Sequence, residues 1–385
     1  MITGKRKEEC CGCMACVNVC PRHCITVKTD SEGFPYPAVD SSKCINCRLC
    51  EQVCPFGPEL KKTGGNETYA AYNLNERQRF ESSSGGIFTL IAEKVIENNG
   101  TVYGAAFTGD FDRIVHVSAK NTAELERLKT SKYVQSETGT VFAEIREKLK
   151  RGESVLFSGT PCQIAGLRMF LRDDFEKLLC IDVICHGVPS PELWRKYLAE
   201  TKEKEGEPTA ISFRDKTHGW KNFSFFVKTP DSERIESSRE NDYMKLFLRN
   251  YSLRSSCYQC KIKTNGSMAD ITLGDLWGAD TFLPEMNDDK GLSAIIVHTQ
   301  KGREMLQGIA DCVKIRAIEY DQVSKYNPSL VSSSQKPRDR AFFYADIGRM
   351  TIKQLADKYC KPRMTIRTRI GRTLIGKMIK AVIRR

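Results

Sequence analysis

Hydrophobic and polar positions change period repeatedly from about Tyr69 onward, as they do where strands and helices alternate. The segments TYAAYN and TVYGAAF have the apolar and aromatic content of strands, and they flank a predicted helix from Gly86 to Glu97. The segments AELERLK and VFAEIREKLKRG carry apolar residues at helical spacing, and Gly152 ends the second helix. The pattern therefore predicts alternating strands and helices in this part of the chain.

Two later segments share one order of elements. SVLFSGTPCQIAGLRMFL and LLCIDVICHGVPSPELWRKYLAE each contain a short apolar strand, a loop and a helix, which is the order of βα units in a mostly parallel sheet. Further strands are predicted in AISFRDK, FSFFVKT, ADITLGDLWG and SAIIVHT, and another helix in KGREMLQGIAD. We therefore expect an α/β domain with a mostly parallel or mixed sheet.

Composition changes how the cysteines are interpreted. The chain has 385 residues, of which 40% are hydrophobic and 28% are charged, and this fits two or three globular domains. No apolar run approaches the roughly eighteen residues of a spanning helix, and no secretory signal follows the basic N-terminus. We expect a cytoplasmic protein, in which 17 cysteines indicate metal or redox chemistry rather than disulfides.

Ten of the 17 cysteines lie in the first 54 residues and form an internal repeat. The run C-x2-C-x2-C-x3-C-P occurs twice with an offset of 34 residues, beginning at Cys10 and at Cys44. Such runs are typical of ferredoxins with two [4Fe–4S] clusters, in which the fourth cysteine of each run binds the other cluster. The predicted ligands are Cys10, Cys13, Cys16 and Cys54 for one cluster, and Cys44, Cys47, Cys50 and Cys20 for the second.

Tetrahedral zinc is the alternative wherever thiolates are closely spaced. A single CxxC pair leaves zinc open, whereas two complete runs with Pro21 and Pro55 favour iron–sulfur clusters. Cys11 and Cys24 fall outside the runs, and we expect them to be small apolar side chains near the clusters that bind no iron. Residues 1–62 are therefore predicted to form an α+β ferredoxin-like domain.

Two loops of the α/β region combine serine, threonine and glycine directly before a helix. Free N–H groups at a helix N-terminus attract phosphate, so the loop from Ser82 to Gly86 is a candidate phosphate site. The loop from Ser158 to Cys162 follows a strand, at the edge where open sheets bind ligands. Helix capping by serine and threonine is the alternative for both loops.

Four more cysteines fall on loops or in a CxxC pair. Cys162 and Cys185 follow equivalent strands, which lets them meet at the carboxyl edge of the sheet, while Cys257 and Cys260 form a second pair. Four thiolates suit either a third [4Fe–4S] cluster or a structural zinc ion. The remaining thiols are predicted to be structural: Cys180, Cys312 and Cys360.

A resemblance to a known family becomes specific in five strings, which occur in the order SSSGGIF, SKYVQS, SGTPCQIAGL, CHGVPSP and CYQCKIKTNGSMADITLGDLWG. In this order they resemble the family of coenzyme F420 hydrogenase/dehydrogenase beta subunits over about residues 68 to 330. A fused ferredoxin module is common in that family, and we assign residues 68–345 to its flavin and iron–sulfur domain. The resemblance implies FAD in the α/β region and favours a third [4Fe–4S] cluster at Cys162, Cys185, Cys257 and Cys260. The positions that it implies for flavin contacts are Ser83, Ser84, Gly85, Gly86, Lys132, Gln135, Ser136 and Thr160.

The resemblance implies a flavin-dependent iron–sulfur oxidoreductase. Single electrons would enter from a partner protein at the ferredoxin clusters, and the flavin would exchange two of them with a small organic substrate, or the reverse. The alternatives are a non-catalytic electron-transfer subunit that feeds a partner enzyme, and a zinc-stabilised binding module. His186 is either a proton donor or a group that orients a cluster loop, and the segment from His218 to Lys221 is either a wall of the substrate pocket or a turn. No catalytic residue is assigned from the sequence.

The net charge of +12 is concentrated at the C-terminus. Nine basic and no acidic residues lie from Lys361 onward, and removing nine charges from +12 leaves +3 for the rest, which argues against a nucleic-acid partner. In the predicted tail, residues 346–385, Ile366, Ile370, Leu374 and Met378 recur every four residues opposite a basic face. This is typical of a helix lying in a membrane surface, here the inner face of the cell membrane. A helix docked on the protein body or on a partner subunit is the equal alternative.

Overall fold

The cysteine-rich N-terminal segment folds as a small α+β unit in the computed structural model, which describes residues 2–57 and 67–361. Strand β1 (Ile25–Thr29) pairs antiparallel with β2 (Pro35–Val39), and the short helices α1 (Ala15–Val19) and α2 (Leu49–Gln52) follow the starts of the two cysteine runs. Met14 and Arg48 directly precede these helices with φ angles of 61° and 58°. The 34-residue sequence repeat therefore recurs in the backbone.

Eleven further strands lie in the rest of the described chain, and eight of them form one sheet. That sheet has the order β13-β3-β12-β11-β7-β6-β4-β5, with β4, β6, β7 and β11 parallel to one another and the outer pairs antiparallel. The sheet is thus mixed, with a parallel centre built from the predicted βα units. The eleven strands are β3 (Glu67–Asn73), β4 (Thr101–Phe107), β5 (Ile114–Ala119), β6 (Val155–Gly159), β7 (Leu178–Val183), β8 (Ala210–Asp215), β9 (Ser224–Lys228), β10 (Glu233–Ser237), β11 (Ile271–Asp275), β12 (Ser293–Val297) and β13 (Val313–Ala317).

Helices cover both faces of this sheet. The helices described after the ferredoxin module are α3 (Glu76–Phe80), α4 (Ile87–Glu97), α5 (Thr122–Leu125), α6 (Val141–Lys150), α7 (Pro161–Leu171), α8 (Pro191–Glu205), α9 (Asp242–Leu248), α10 (Lys261–Asn265), α11 (Ala279–Phe282), α12 (Gln300–Gln307), α13 (Tyr320–Tyr326), α14 (Arg340–Asp346) and α15 (Ile352–Tyr359). The predicted helix from Gly86 to Glu97 is α4, and its first residue is Ile87 because Gly86 has the left-handed φ of 83°.

The ferredoxin module packs into the core on one side of the large sheet. Helices α4, α5 and α12 share a hydrophobic core on one face, while α6 and α7 cover the other together with Cys11, Cys13 and Phe56 of the module. Gly166 of α7 permits this contact, since a Cβ there would lie 2.7 Å from the sulfur of Cys13. The first cysteine run is therefore seated against the α7 side of the sheet.

The strands β8, β9 and β10 form a separate antiparallel sheet with the order β10-β9-β8. It packs with α8, α9 and α15 around a buried aromatic cluster that includes Trp194 and Phe213. The sequence predicts β8 and β9 as strands but does not place them in their own sheet. Helix α15 lies in the predicted tail, yet Ile352 and Leu355 are part of this core. The predicted amphipathic segment from Ile366 onward lies outside the described residues.

Candidate electron-transfer site

The cysteines of the ferredoxin module line two cavities. Cys10, Cys13, Cys16 and Cys54 line one of about 300 Å³, and Cys20, Cys44, Cys47 and Cys50 line one of about 30 Å³. These groups are the two ligand sets that the repeat predicts. Cys24 lines the second cavity, and its sulfur lies 3.4 Å from that of Cys20.

A third cavity of about 30 Å³, which we call the distal cavity, is lined by cysteines from three parts of the α/β domain. Cys162 lies in the first turn of α7, and Cys185 lies two residues after β7. Cys257 lies within the 3-10 helix Ser255–Gln259, and Cys260 follows it directly. The fold thus brings together the four distal cysteines that the sequence pairs only two by two.

The buried thiols are suited to a metal cofactor. Burial raises the pKa of both Cys16 and Cys257 to about 12, so these sulfurs keep a proton unless a metal cation replaces it. Within residues 2–57 and 67–361, no three His, Cys, Asp or Glu side chains have the geometry to hold a metal ion directly. Zinc needs its sulfurs about 2.3 Å from one centre, whereas a cluster spreads four sulfurs around a cube. The two complete cysteine runs, rather than these sulfur positions, are what favour clusters over zinc in the ferredoxin module.

Cys11 joins the module to the distal cavity. It is 7% exposed and lines both the cavity at Cys10 and the distal cavity. The sequence predicts only that Cys11 lies near a cluster without binding iron. Its position between two thiol-lined cavities depends on the docking of the module, which no spacing of residues reveals.

A set of buried polar side chains fixes the first cysteine loop to the α/β domain. Arg254 is 0% exposed and donates from Nε to the Cys10 carbonyl at 2.7 Å, with a further contact of 3.6 Å to the Cys10 sulfur. Gln135 donates to the carbonyl of Cys11 at 3.2 Å, and Thr138 donates to that of Cys13 at 3.1 Å. The amide of Gln135, which the resemblance assigns to the flavin, is therefore engaged by the cluster loop.

The serine–glycine loop before α4 is bound to the sheet. Ser83 Oγ accepts from the Ser131 amide at 2.7 Å, Ser84 Oγ donates to the Leu292 carbonyl at 3.1 Å, and Gly85 N–H donates to Ser293 Oγ at 2.9 Å. A Cβ on Gly85 would lie 2.5 Å from the Ala71 carbonyl, so close packing already requires this glycine. No side chain of the described residues caps α4 at its N-terminus, which leaves N–H groups of its first turn available to an anion.

The other predicted flavin positions lie on neighbouring loops. Lys132 donates to the Lys129 carbonyl at 2.6 Å, and burial lowers its pKa to about 7. Ser136 Oγ accepts from Gln163 at 2.9 Å, and the Gln163 side chain in turn accepts from the Thr160 amide at 2.9 Å. The loop from Ser131 to Ser136 thus connects the α4 loop, the α7 loop and the cluster loop.

Two further candidates have structural surroundings. His186 Nε2 lies 2.6 Å from the Asn250 side-chain oxygen, and its ring packs edge-on against Phe247, as expected of a group that orients a loop. Trp220 is 1% exposed, stacks on Trp277 at 4.8 Å and donates to Asp275 at 2.9 Å. Its ring belongs to the core, while the interpretation of the segment from His218 to Lys221 as a pocket wall stays a prediction.

Comparison with known proteins follows the same division of the chain. Residues 9–57 match the 4Fe-4S dicluster domain, and residues 152–323 match the domain described as the C terminus of the Coenzyme F420 hydrogenase/dehydrogenase beta subunit. The chain is 22% identical over 322 residues to the subunit designated F of the F(420)H(2) dehydrogenase of Methanosarcina mazei, covering 80% of this chain and 84% of that protein. It is 24% identical over 315 residues to the Coenzyme F420-dependent sulfite reductase of Methanocaldococcus jannaschii, covering 70% of this chain and 46% of that protein.

The fold is also found in a solved structure. A chain of the F420-reducing [NiFe] hydrogenase complex from Methanosarcina barkeri aligns with a TM-score of 0.50 at 14% identity, covering 71% of this chain and 92% of that one. At this identity the likeness concerns the fold alone. Among the described helices, none has the length and apolar content to cross a membrane.

The fold and the cysteine cavities define an iron–sulfur electron-transfer protein, in which a dicluster ferredoxin module is fused to a mixed-sheet α/β domain. Residues 152–323 form the domain that is described as the C terminus of the Coenzyme F420 hydrogenase/dehydrogenase beta subunit. The resemblance seen in the sequence motifs is therefore confirmed.

Proposed function

We propose that the protein is an iron–sulfur flavoprotein oxidoreductase that passes electrons between a ferredoxin-type partner and an organic substrate. It would hold two [4Fe–4S] clusters in the ferredoxin module, a third at Cys162, Cys185, Cys257 and Cys260, and FAD in the α/β domain. A cluster exchanges single electrons and a flavin exchanges one or two, so the pair joins a one-electron partner to a two-electron substrate. The observation that supports this most directly is Cys11, whose thiol borders both the first module cavity and the distal cavity.

The charge of Arg254 supports a cluster at the first set of cysteines. Its hydrogen bonds within the described residues go to the Cys10 carbonyl and sulfur, the Pro35 carbonyl and the Gln135 side chain, and none of these groups is a carboxylate. A buried cation needs a nearby negative charge to offset its desolvation. Thiolates that bind a cluster beside Arg254 supply that charge.

The flavin would lie at the edge of the sheet where the loops before α4 and α7 are joined by the loop from Ser131 to Ser136. The uncapped N-terminus of α4 suits a phosphate of FAD, and the adjoining loop carries Lys132, a half-buried lysine whose positive form a phosphate would stabilise. The hydrogen bond from Ser131 to Ser83 links that loop to α4, and Gln135 links it to Cys11. Flavin and cluster contacts therefore share one loop.

The substrate is proposed to be an organic two-electron carrier, and coenzyme F420 is the first to test because both relatives carry it in their names. A second candidate function is a non-catalytic subunit that feeds a partner enzyme. It is favoured by the likeness to a protein named as one subunit of a dehydrogenase and to a chain of a hydrogenase complex. The two functions differ in whether the protein alone oxidises or reduces the carrier.

The test is an anaerobic preparation of the full chain analysed for iron, acid-labile sulfide and released flavin. Two clusters require about 8 iron atoms per chain and three require about 12. Oxidation of the reduced protein by F420 alone supports the enzyme, and oxidation only after a partner subunit is added supports the electron-transfer subunit. Zinc without acid-labile sulfide would contradict both.

The distal cluster and the flavin have separate variants. Replacing both Cys257 and Cys260 by Ser is expected to lower iron by about 4 atoms per chain, while Cys312→Ser, at an exposed thiol outside the cavities, leaves iron unchanged. Lys132→Gln is expected to lower flavin content without lowering iron, with exposed Lys120→Gln as its control. Unchanged iron in the double variant removes the distal cluster, and normal flavin in Lys132→Gln removes the proposed phosphate contact.

A further inference from the structure

A cavity of about 240 Å³ adjoins the distal cavity, and both are lined by Pro161, Cys185 and Lys263. Its apolar walls include Ile184 and Ile296. Its volume is below the usual range of pockets for drug-sized ligands, so it suits a reacting ring rather than a whole dinucleotide. The polar lining consists of Asp182, Lys263, Ser267, Thr272, His298, Tyr320 and Ser329.

The register of the large sheet places a chain of polar groups at the floor of this cavity. Thr272 of β11 lies directly opposite Asp182 of β7, and Asp182 is 0% exposed. Thr272 Oγ1 donates to Asp182 Oδ1 and lies 2.8 Å from Nε2 of His298, while Ser267 Oγ donates to the other carboxyl oxygen at 2.6 Å. A buried carboxyl is thereby connected through a hydroxyl to a partly exposed imidazole.

The hydrogen bonds that join Asp182, Thr272 and His298 can run in either of two directions. When Asp182 is ionised, Thr272 donates to it and accepts from His298; when Asp182 is protonated, it donates to Thr272, which then donates to His298. Reversing the bonds moves one proton between the carboxyl and the imidazole. Burial raises the pKa of Asp182 to about 7, so the carboxyl holds a proton near neutral pH. The other titratable groups facing the cavity are Lys263 on α10, Tyr320 on α13 and Cys185 after β7.

We propose that Asp182, Thr272 and His298 form a proton relay to a two-electron acceptor ring, a quinone or a flavin ring, bound in this cavity. The inference rests on the proposed function, because the electrons come from the clusters. For a quinone, two electrons from two reduced clusters and two protons, one through His298 and one from solvent, yield the hydroquinone. A proton from solvent water then reprotonates the carboxylate of Asp182. Asp182 does not touch the ring itself. It supplies the proton through Thr272 and His298, and is therefore a positioning residue and not a catalytic one.

The test compares two oxidants in single turnover. The full protein is reduced anaerobically, freed of reductant and mixed by stopped flow with menadione, a quinone that takes up protons, or with ferricenium, which takes one electron and no proton. Asp182→Asn and Thr272→Val are expected to slow menadione reduction at least about tenfold and to remove its decline above about pH 7. Reoxidation by ferricenium is expected to stay within about twofold of wild type. Thr272→Ser, which keeps the hydroxyl, is expected to restore the menadione rate.

Each remaining outcome has a distinct meaning. Wild-type menadione rates in both variants overturn the relay, and so does equal slowing with both oxidants, since that marks damage to the electron path. A wild-type protein without iron, or one that reacts with neither oxidant, overturns the proposed function and the relay together. The same experiment on flavin-depleted protein identifies the ring. If the quinone itself occupies the cavity, the variants still slow menadione reduction selectively. If the resident flavin occupies the cavity, this selective slowing is lost.

Discussion

Arg254 lies fully buried where the ferredoxin module meets the α/β domain, and its guanidinium contacts both parts. It donates to the Pro35 carbonyl at 3.0 Å and to Gln135 at 2.9 Å, and it stacks on the Tyr36 ring at 4.1 Å. Gly12 beside it has a left-handed φ of 75°, and a Cβ there would lie 2.8 Å from the guanidinium, so both the backbone and the space favour glycine. One side chain thus sets the position of the first cysteine loop and the charge next to it.

Two substitutions separate these roles of Arg254. Arg254→Lys keeps the charge but loses the forked contacts, and it is expected to destabilise the protein by about 3 kcal/mol. Arg254→Met also removes the charge and is expected, in addition, to lower the reduction potential of the cluster at Cys10. Thermal unfolding and a redox titration followed by electron paramagnetic resonance measure the two effects, with exposed Arg338→Lys as the control. Equal potentials in the two variants would show that the charge has no electrostatic role.

Asp182 makes the stability of the protein depend on pH. Burial raises its pKa from 3.8 to about 7, so the unfolded chain releases this proton at lower pH than the folded one. Stability is therefore lost as pH rises through this window, and Asp182→Asn escapes the loss. The advantage of the variant over wild type is expected to grow by about 2 kcal/mol between about pH 5.5 and 8.5. Chemical unfolding at both pH values measures it, and a constant difference would contradict the raised pKa.

At this scale the sequence is informative where chemistry depends on spacing alone. The two cysteine runs predict their own grouping, because three ligands within seven residues must face one cluster. Arg254 and Asp182 carry no such signal. Each acquires its role from groups far away along the chain, Cys10 for the first and Thr272 for the second. The distal cysteines are intermediate, since the pairs are visible in the sequence but their meeting depends on the sheet.

The loop before α4 is an example of packing at the scale of elements. It crosses the ends of β3 and β12, where a Cβ on Gly85 would lie 2.5 Å from the Ala71 carbonyl and 2.9 Å from the Ser293 amide. Both neighbours are backbone atoms of paired strands, so they cannot move away by a side-chain rotation. The phosphate interpretation of this glycine is therefore not needed to explain its presence.

Gly85→Ala is expected to destabilise the protein by about 1–3 kcal/mol through this overlap. Gly109→Ala is the control, since no atom lies within 4 Å of its Cβ position. Thermal unfolding compares the two variants. Equal stability would show that the loop moves freely away from β3, and flavin loss in a stable Gly85→Ala protein would return this glycine to a binding role.

Periodicity predicts single elements better than their partners. Strand β4 and helix α4 lie where the pattern predicts them, whereas AELERLK becomes the short helix α5 followed by a 3-10 turn, Glu126–Leu128. The division of strands between two sheets is invisible in the sequence because strand pairing depends on contacts between distant segments. Strands β8 to β10 carry no residue that marks them for a separate sheet, and the aromatic core under α8 and α9 holds that sheet in place.

At the scale of the whole molecule, the role of the basic C-terminal segment, from Lys361 onward, is the prediction that still needs a test. Helix α15 belongs to the body, so a chain ending at Lys361 keeps every described contact. The full-length protein is expected to float with anionic liposomes at low salt, because each basic residue near such a surface contributes about 1 kcal/mol, while the shortened chain does not. Flotation with neutral liposomes is the control. If the full chain ignores anionic liposomes, the segment serves a partner protein instead.

The contact between Arg254 and the first cysteine loop also imposes an order on biosynthesis. Cys10 leaves the ribosome more than two hundred residues before Arg254. During that interval the first cysteine loop lacks the side chain that later binds its backbone and offsets the charge of its thiolates. At about 5–20 residues per second this interval lasts at least ten seconds or so. Delivery of iron and sulfide to the first site is then favoured after the α/β domain has formed. A nascent chain arrested before residue 254 would retain less iron at Cys10 than a released one.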